Sequence, residues 1–184
     1  MNTSELKEIT QLITRHAVAE GASSTANPSL EVARHSTCQT ALRCPQSPFF
    51  GMVVQGRMSI QLGDTVRHFA QGDYLFVSFS VPVAFHIIEA SADQPCLGFG
   101  MAITPERLHE VLARMDIPPH PSTTHEACSV VVDRLNPELL DATLRLLRLL
   151  DAPGDIQSLA PLIEQEIIYR LLSSLMAAAC CNWR

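Results

Sequence analysis

The stretch from Phe49 to Ala90 decides the fold of this chain; it reads FFGMVVQGRMSIQLGDTVRHFAQGDYLFVSFSVPVAFHIIEA. Short apolar runs alternate with turns at Gln55-Gly56, Gly63-Asp64 and Gly72-Asp73. Runs of this length between glycine-containing turns are typical of antiparallel strands in a meander or barrel. Because a small closed barrel with an apolar interior can hold a small molecule, the stretch predicts a ligand container.

The composition is that of a globular chain of one domain. Of its 184 residues 47% are hydrophobic and 17% charged, which suits a buried core and is too apolar for a disordered chain. The net charge of −6 argues against a nucleic-acid surface, which is normally basic. The polar segment Met1–Thr10 predicts no signal peptide, and no apolar stretch is long enough to span a bilayer. We therefore expect a soluble, cytoplasmic protein with no membrane partner.

Segments on either side of the Phe49–Ala90 stretch complete the barrel. Ser4–Glu20 carries apolar residues at helical spacing and is followed by Gly21, which predicts a first helix. Leu30–Thr37 and Leu97–Ile103 are predicted strands. The small and polar residues 22–29 between the helix and the first of these strands are a predicted linker.

The last part of the chain carries the signals of helices. Thr104-Pro105-Glu106 and Asn136-Pro137-Glu138 each place a capping side chain before a proline and an acid, as at a helix start. Ser158 is the predicted cap of the last helix, with Pro161 in its first turn. Pro153-Gly154 marks a predicted turn before it.

These elements predict an α+β fold in one compact domain. Residues 1–135 form the first helix and an antiparallel β-barrel, and residues 136–184 form a helical hairpin. The leucine-rich first helix of the hairpin is a candidate homodimer seam, with Leu140, Leu144 and Leu147 as its contacts. The alternative is that the same leucines pack against the barrel and the last helix, and the spacing does not decide between the two.

No set of metal ligands decorates the predicted barrel. His68 and His86 stand alone, and no pair of histidines is separated by one residue. The six cysteines show no Cys-X-X-Cys spacing, so free thiols are expected, with a redox pair of Cys38 and Cys44 as a minor alternative. We predict no metal, no cofactor and no catalytic residue.

The predicted lining of the barrel follows from strand alternation. On Val83–Glu89, His86 shares one face with Ala84 and Ile88, and it is a candidate polar contact for a ligand. A slip of one residue exchanges the inward and outward faces of a strand. The predicted ligand-binding residues are Met52, Val54, Phe76, Ser78, Phe85 and His86.

Six segments in this order resemble the amino-terminal domain of one branch of the AraC-type transcriptional regulators. They are SELKEITQLITRHA (Ser4–Ala17), SLEVARHS (Ser29–Ser36), VVQGRMSIQLGD (Val53–Asp64), GDYLFVSFSVPV (Gly72–Val83), EASADQPCLGFGMAI (Glu89–Ile103) and LAPLIEQEIIYRLL (Leu159–Leu172). Each motif is loose, but their order and spacing together are specific, and they cover nearly the whole chain to Leu172.

The resemblance implies a cupin-like barrel of the jelly-roll type that binds a small-molecule effector, and a helical hairpin that forms a homodimer. Regulators of this family continue into a helix-turn-helix domain. After Leu172 this sequence reads SSLMAAACCNWR, so we expect no specific DNA binding by this chain alone; DNA would be a partner only through a helix-turn-helix domain that it lacks. A truncated product, a frameshifted product and a free-standing sensor all stay open. The alternative function is a cupin-type enzyme that acts on a small molecule.

Overall fold

The computed structural model describes residues 3–39, 42–43, 48–77, 83–115 and 130–181. The helices are α1 (Thr3–His16), α2 (Pro105–Leu112), α3 (Pro137–Arg148) and α4 (Pro153–Cys181), with a short 3-10 turn at Leu149–Asp151. The strands are β1 (Gly21–Ser24), β2 (Leu30–His35), β3 (Leu42–Arg43), β4 (Phe49–Gln55), β5 (Arg57–Leu62), β6 (Thr65–Ala70), β7 (Asp73–Val77), β8 (Ala84–Glu89), β9 (Cys96–Ala102) and β10 (Val130–Arg134).

The strands form two antiparallel sheets that face each other. The larger sheet has the order β1-β2-β9-β4-β7-β10, and the smaller has the order β3-β8-β5-β6. The turns at Gly56, Gly63 and Gly72 lie where the sequence predicts them, and each of these glycines has a positive φ that other residues rarely adopt. The predicted α+β fold, an antiparallel barrel followed by carboxyl-terminal helices, is confirmed.

The larger sheet is buried on both faces. On β4, Phe50, Met52 and Val54 belong to a hydrophobic cluster that the sheet shares with α1, α3 and α4. Val53, on the same strand, belongs to a second cluster between the two sheets, together with Phe85 of β8. Neighbouring residues of a strand point to opposite faces, so adjacent positions of β4 stabilise two different cores.

Local capping sets the start of two helices as the sequence predicts. The Thr104 hydroxyl accepts a hydrogen bond from the backbone N–H of Arg107, and Pro105 follows it as the first residue of α2. Asn136 Oδ1 accepts the backbone N–H of Leu139 at 2.7 Å, and Pro137 begins α3. A side-chain oxygen at this position satisfies a backbone donor that the helix leaves unpaired.

The sequence expectation for the start of the last helix is wrong. The helix α4 begins at Pro153 rather than after Ser158, and Pro161 lies inside it. Proline suits the first helical position because no intrahelical partner is required of its nitrogen there. Pro161 removes one backbone hydrogen bond, a loss that the helix tolerates while its inward side packs in the core.

The end of the first helix also differs from the expectation. It ends at His16, not Glu20. Gly21–Ser24 forms the edge strand β1, where the sequence predicted a helix stop at Gly21 and a linker over residues 22–29. Gly21 has a φ of 93°, which redirects the chain. The small side chains of β1 give no strand signal, and its pairing with β2 is what makes it a strand.

The predicted division of the chain into a barrel region before residue 135 and a helical hairpin after it stays a prediction.

A buried carboxylate ties α4 to the rest of the molecule. Glu164 is 1% exposed, and its Oε1 accepts hydrogen bonds from Asn27 Nδ2 at 3.0 Å and from the Ser29 hydroxyl. Its other oxygen binds the Arg107 guanidinium of α2. The carboxylate thus joins α4 to the turn between β1 and β2 and to α2. The Arg107 guanidinium balances the charge of Glu164, and Asn27 and Ser29 donate hydrogen bonds to it, so this buried ion has both a counter-charge and hydrogen-bond donors.

We expect Glu164→Ala to lower the free energy of unfolding by about 3 kcal/mol, because it leaves Arg107 and the buried amide of Asn27 without their acceptor. The matched control is Asp141→Ala, which removes an exposed carboxylate from its pair with Arg145 on α3. That control should cost less than about 1 kcal/mol. Urea unfolding followed by circular dichroism measures both, and equal losses would contradict the role given to Glu164.

Candidate ligand-binding cavity

A cavity of about 510 Å³ lies between the two sheets. This is within the size range of pockets that bind small molecules. Side chains of both sheets line it, and most are apolar. They include Phe49, Val53 and Leu75 of the larger sheet and Met58, Phe69 and Phe85 of the smaller one.

Small residues at the centre of the larger sheet keep the cavity open. Gly51 of β4 pairs with Gly100 of β9, and both border the cavity, as do Gly98 and Ala33. A methyl group added at Gly100 would meet no atom within 4 Å. At Gly98 the same group would lie 2.6 Å from the Met52 carbonyl oxygen. Gly98 is therefore required by backbone packing, whereas Gly100 leaves space that a ligand can fill.

Aromatic rings hold the apolar wall in place. The rings of Phe49 and Phe85 lie with their centroids 5.8 Å apart, and those of Phe69 and Phe85 6.4 Å apart in an edge arrangement. Tilted and edge contacts at these distances are favourable for aromatic pairs. Phe85 therefore touches a ring from the other sheet and a ring from its own, and the wall is preformed.

The acidic, imidazole and amide side chains among the described lining residues of the cavity lie at one edge, on the chain from Glu20 to Gln39. Glu20, Glu31, His35 and Gln39 all border it. Glu31, Ala33 and His35 are alternate residues of β2, so they share its cavity face. Among the described residues that line the cavity there is no lysine and no arginine.

His35 is the buried polar group of this edge. It is 6% exposed, and its Nδ1 atom has no hydrogen-bond partner among the described residues. A buried polar atom without a partner costs about 1–3 kcal/mol, so a group that supplies one gains affinity. Burial lowers the pKa of His35, and the nearby Glu20 opposes this shift in part. The imidazole is therefore neutral at neutral pH.

Glu20 carries the negative charge of this edge. Its carboxylate accepts the backbone N–H of Ser36 at 2.8 Å. This hydrogen bond lowers the pKa of Glu20, and the positive charge of Arg34 acts in the same direction. Glu20 is thus ionised at neutral pH and exposed at the edge of the cavity, where it favours a cation over an anion.

Cys96 borders the cavity as an unreactive thiol. Burial raises its pKa to about 11, so it is protonated at neutral pH. Cys38 is exposed, and its thiol donates to the Ile88 carbonyl oxygen at 3.2 Å. The minor alternative of a redox pair between Cys38 and Cys44 is not tested, because Cys44 lies outside the described residues. Within the described ranges, no three His, Cys, Asp or Glu side chains are placed to hold a metal ion.

The six residues predicted to bind the ligand are divided among several places. Phe85 borders the cavity, and so does Met52, which also belongs to the hydrophobic cluster on the helix side of the larger sheet. Val54 and Phe76 belong to the cluster on the helix side of the larger sheet. The half-buried His86 is not among the lining residues, and Ser78 lies outside the described part of the chain.

The physical reason for this division is that successive residues of a strand point to opposite faces of the sheet. The prediction placed Met52, Val54 and Phe76 on an inward face, but that face of β4 and β7 meets the helices. On β8 the inward residues are Phe85 and Ile87, so His86 points the other way. That the cavity-lining residues contact a ligand stays a prediction.

The cavity edge was missed because its signal is weak. On β2 the apolar Leu30 and Val32 alternate with Glu31 and Ala33, which marks a strand with one buried face. That pattern hides the fact that the polar face, with His35, borders a cavity. The alternate glycines of Gly98-Phe99-Gly100 are the other usable signal, because glycine in a strand often marks open space or a close approach.

The three leucines expected at a dimer seam are buried within the chain. Leu140, Leu144 and Leu147 are at most 3% exposed and belong to the core on the helix side. They pack against the chain's own barrel and last helix, which is the alternative that the sequence left open. The exposed apolar residues of this layer lie on α4 instead: Leu159, Leu162 and Tyr169 are 43%, 63% and 52% exposed.

Two opposed antiparallel sheets around an apolar cavity define a β-barrel whose interior has the size of a small-molecule site. The model of the AraC-type transcriptional regulator N-terminus matches residues 26–179 of this chain. The chain therefore belongs to that family, and the resemblance that the sequence suggests is confirmed. No curated protein matches the sequence.

Solved structures share the fold at low sequence identity. An apo ToxT variant from Vibrio cholerae strain SCE256 has a TM-score of 0.58 and 6% identity, over 87% of this chain and 58% of that one. ToxT from Vibrio cholerae O395 has a TM-score of 0.57 and 6% identity, over 82% of this chain and 55% of that one. The AraC-like transcriptional activator CuxR, with 13% identity over 79% of this chain and 51% of that one, has a TM-score of 0.49, too low to support an argument.

The chain spans little more than half the length of these solved structures. None of the helices in the described part of the chain has both the length and the apolar character needed to cross a membrane.

Proposed function

We propose that this chain senses a small-molecule effector and forms a homodimer, as the amino-terminal part of an AraC-type transcriptional regulator in the cytoplasm. The observation that carries the proposal is the apolar cavity of about 510 Å³ inside the barrel of a chain from this family. Its wall is held by aromatic contacts, and its polar groups lie at one edge. A mainly apolar lining with a few polar groups is the usual composition of a small-molecule site.

No observation favours the alternative of a cupin-type enzyme. The thiol at the cavity is protonated, because burial raises the pKa of Cys96 to about 11. The neutral His35 has no nucleophile as a hydrogen-bond partner among the described residues. A catalytic base needs such a partner or a substrate proton within hydrogen-bond reach. The cavity is thus described better as a binding site than as a reaction centre.

The homodimer is proposed to form through α4. Leu159, Leu162 and Tyr169 are separated by three and seven residues, so they lie on one face of the helix. This face is opposite the inward side that carries Glu164 and Ile168. Three exposed apolar side chains in one line match the spacing of a helix that packs against a second copy of itself.

DNA is a proposed partner only through a helix-turn-helix domain. With a net charge of −6, this chain lacks the positive balance that phosphate contacts require. The present chain alone is expected to show no preference for a promoter fragment. We assign the recognition of a DNA sequence to the helix-turn-helix domain.

The proposed cavity site is tested by filling it. We expect fragments from an apolar library to raise the melting temperature of the wild-type chain, since binding to the folded state stabilises it. Gly100→Trp should abolish these shifts, because its side chain enters the open space beside Gly100. Val66→Trp is the control, since Val66 is exposed on β6. If the same fragments shift Gly100→Trp as much as the control, the cavity is not the site.

The proposed dimer face is tested by a charge at its most exposed residue. Leu162→Glu should convert a dimer into a folded monomer, because an ionised side chain cannot be buried between two copies without a partner. Val66→Glu, at an exposed apolar site on the barrel, should stay dimeric. Light scattering gives the mass, and circular dichroism checks the fold. A wild-type chain that is monomeric at high concentration contradicts the dimer, and a dimeric Leu162→Glu contradicts this face.

A further inference from the structure

We propose that the effector is a compact molecule with an apolar, aromatic body and a cationic amine head, and that His35 and Glu20 recognise the amine. This inference rests on the proposed function and adds the chemical class of the ligand. It is drawn from the contrast between the two ends of the cavity. Apolar residues surround most of the space, and the acidic and imidazole groups lie together at the edge formed by Glu20 and β2.

The unpartnered Nδ1 atom of His35 can accept a hydrogen bond in one of the two neutral tautomers of the ring. This atom is buried without a partner among the described residues, and the ring is neutral at neutral pH. A neutral imidazole offers one nitrogen as an acceptor. An ammonium group has donors to give and no acceptor of its own, so it satisfies this nitrogen whenever Nδ1 is the unprotonated one.

The charge at this edge selects against an anion. The acidic residues Glu20 and Glu31 both border the cavity, and no lysine or arginine of the described residues does. Arg34, the residue before His35, lies on the other face of β2 and is not a lining residue, although its positive charge acts on Glu20. An amine head close to Glu20 gains an attractive charge pair, whereas a carboxylate there meets a like charge.

The apolar end sets the shape of the body. Phe49, Phe69 and Phe85 form a wall of rings, and the absent side chain of Gly100 leaves open space in the cavity. A flat ring can fill this space and meet the edges of the aromatic side chains. A molecule with one ring and a short arm reaches from this wall to the polar edge.

Three probes that differ only in the head group test the inference. They are phenethylamine, phenethyl alcohol and phenylacetate, titrated separately into the full chain at neutral pH, with dissociation constants from NMR titrations. We expect the amine to bind most tightly and phenylacetate at least about tenfold more weakly, which is the scale of one charge-assisted hydrogen bond.

Two variants assign the preference to its residues. Glu20→Gln keeps an oxygen for the Ser36 N–H and should remove most of the advantage of the amine over the alcohol. His35→Phe should weaken the amine and the alcohol alike. Asp64→Asn is the control, because Asp64 is exposed in the turn between β5 and β6 and should change no affinity.

The outcomes separate this inference from the proposed function. If phenylacetate or the alcohol binds as tightly as the amine, and Gly100→Trp still blocks binding, the amine is wrong and the cavity stands as the site. If no probe binds, or if Gly100→Trp leaves binding unchanged, both the inference and the cavity site are contradicted. Gly100→Leu replaces Gly100→Trp if the larger side chain prevents folding.

Discussion

The structure depends on one constraint: the six-stranded sheet is buried on both faces. One face packs against the helices and the other encloses the cavity, so consecutive residues of β4, such as Met52 and Val53, belong to different cores. The helix-side core is the larger of the two clusters of buried apolar residues. Because this larger core stabilises the sheet, the opposite face can carry Gly100 and leave a space unfilled.

The helix layer and the cavity edge are connected by a buried charge. Asn27 and Ser29 lie in the turn between β1 and β2, and both donate to Glu164 of α4. The strand β2 that follows this turn carries His35 at the cavity edge, and α4 carries the exposed apolar face. Glu164 therefore connects β2, which borders the proposed effector site, to α4, which carries the proposed dimer surface. This carboxylate is costly to bury, and its donors fix the position of the β1–β2 turn on α4.

Local signals of the sequence predicted the fold well. The helix starts at Asn136-Pro137 and Thr104-Pro105 depend on capping contacts that the sequence itself contains, so they were predictable. The cavity face was not, because a period of two does not say which side of a strand meets helices and which meets the other sheet. The leucines of α3 could pack against the chain's own barrel or against a second copy, because both surfaces are apolar. Only the tertiary structure shows that Leu144 packs in the core of its own chain. No sequence motif marks His35. It is a candidate because it lines the cavity and its buried Nδ1 atom has no hydrogen-bond partner among the described residues, and both facts are visible only in the structure.

The central claim is that the space between the two sheets binds a small molecule. Methyl NMR of the chain with carbon-13-labelled methionine tests it directly, because Met58 borders the cavity and Met101 lies in the core on the other face of the larger sheet. Assignment by Met58→Leu and Met101→Leu identifies the two signals. On titration with phenethylamine, the account predicts a saturable shift of the Met58 methyl signal through the ring current of the probe, with that of Met101 nearly unchanged. A shift of Met101 with Met58 unmoved, or no shift of either, would contradict it.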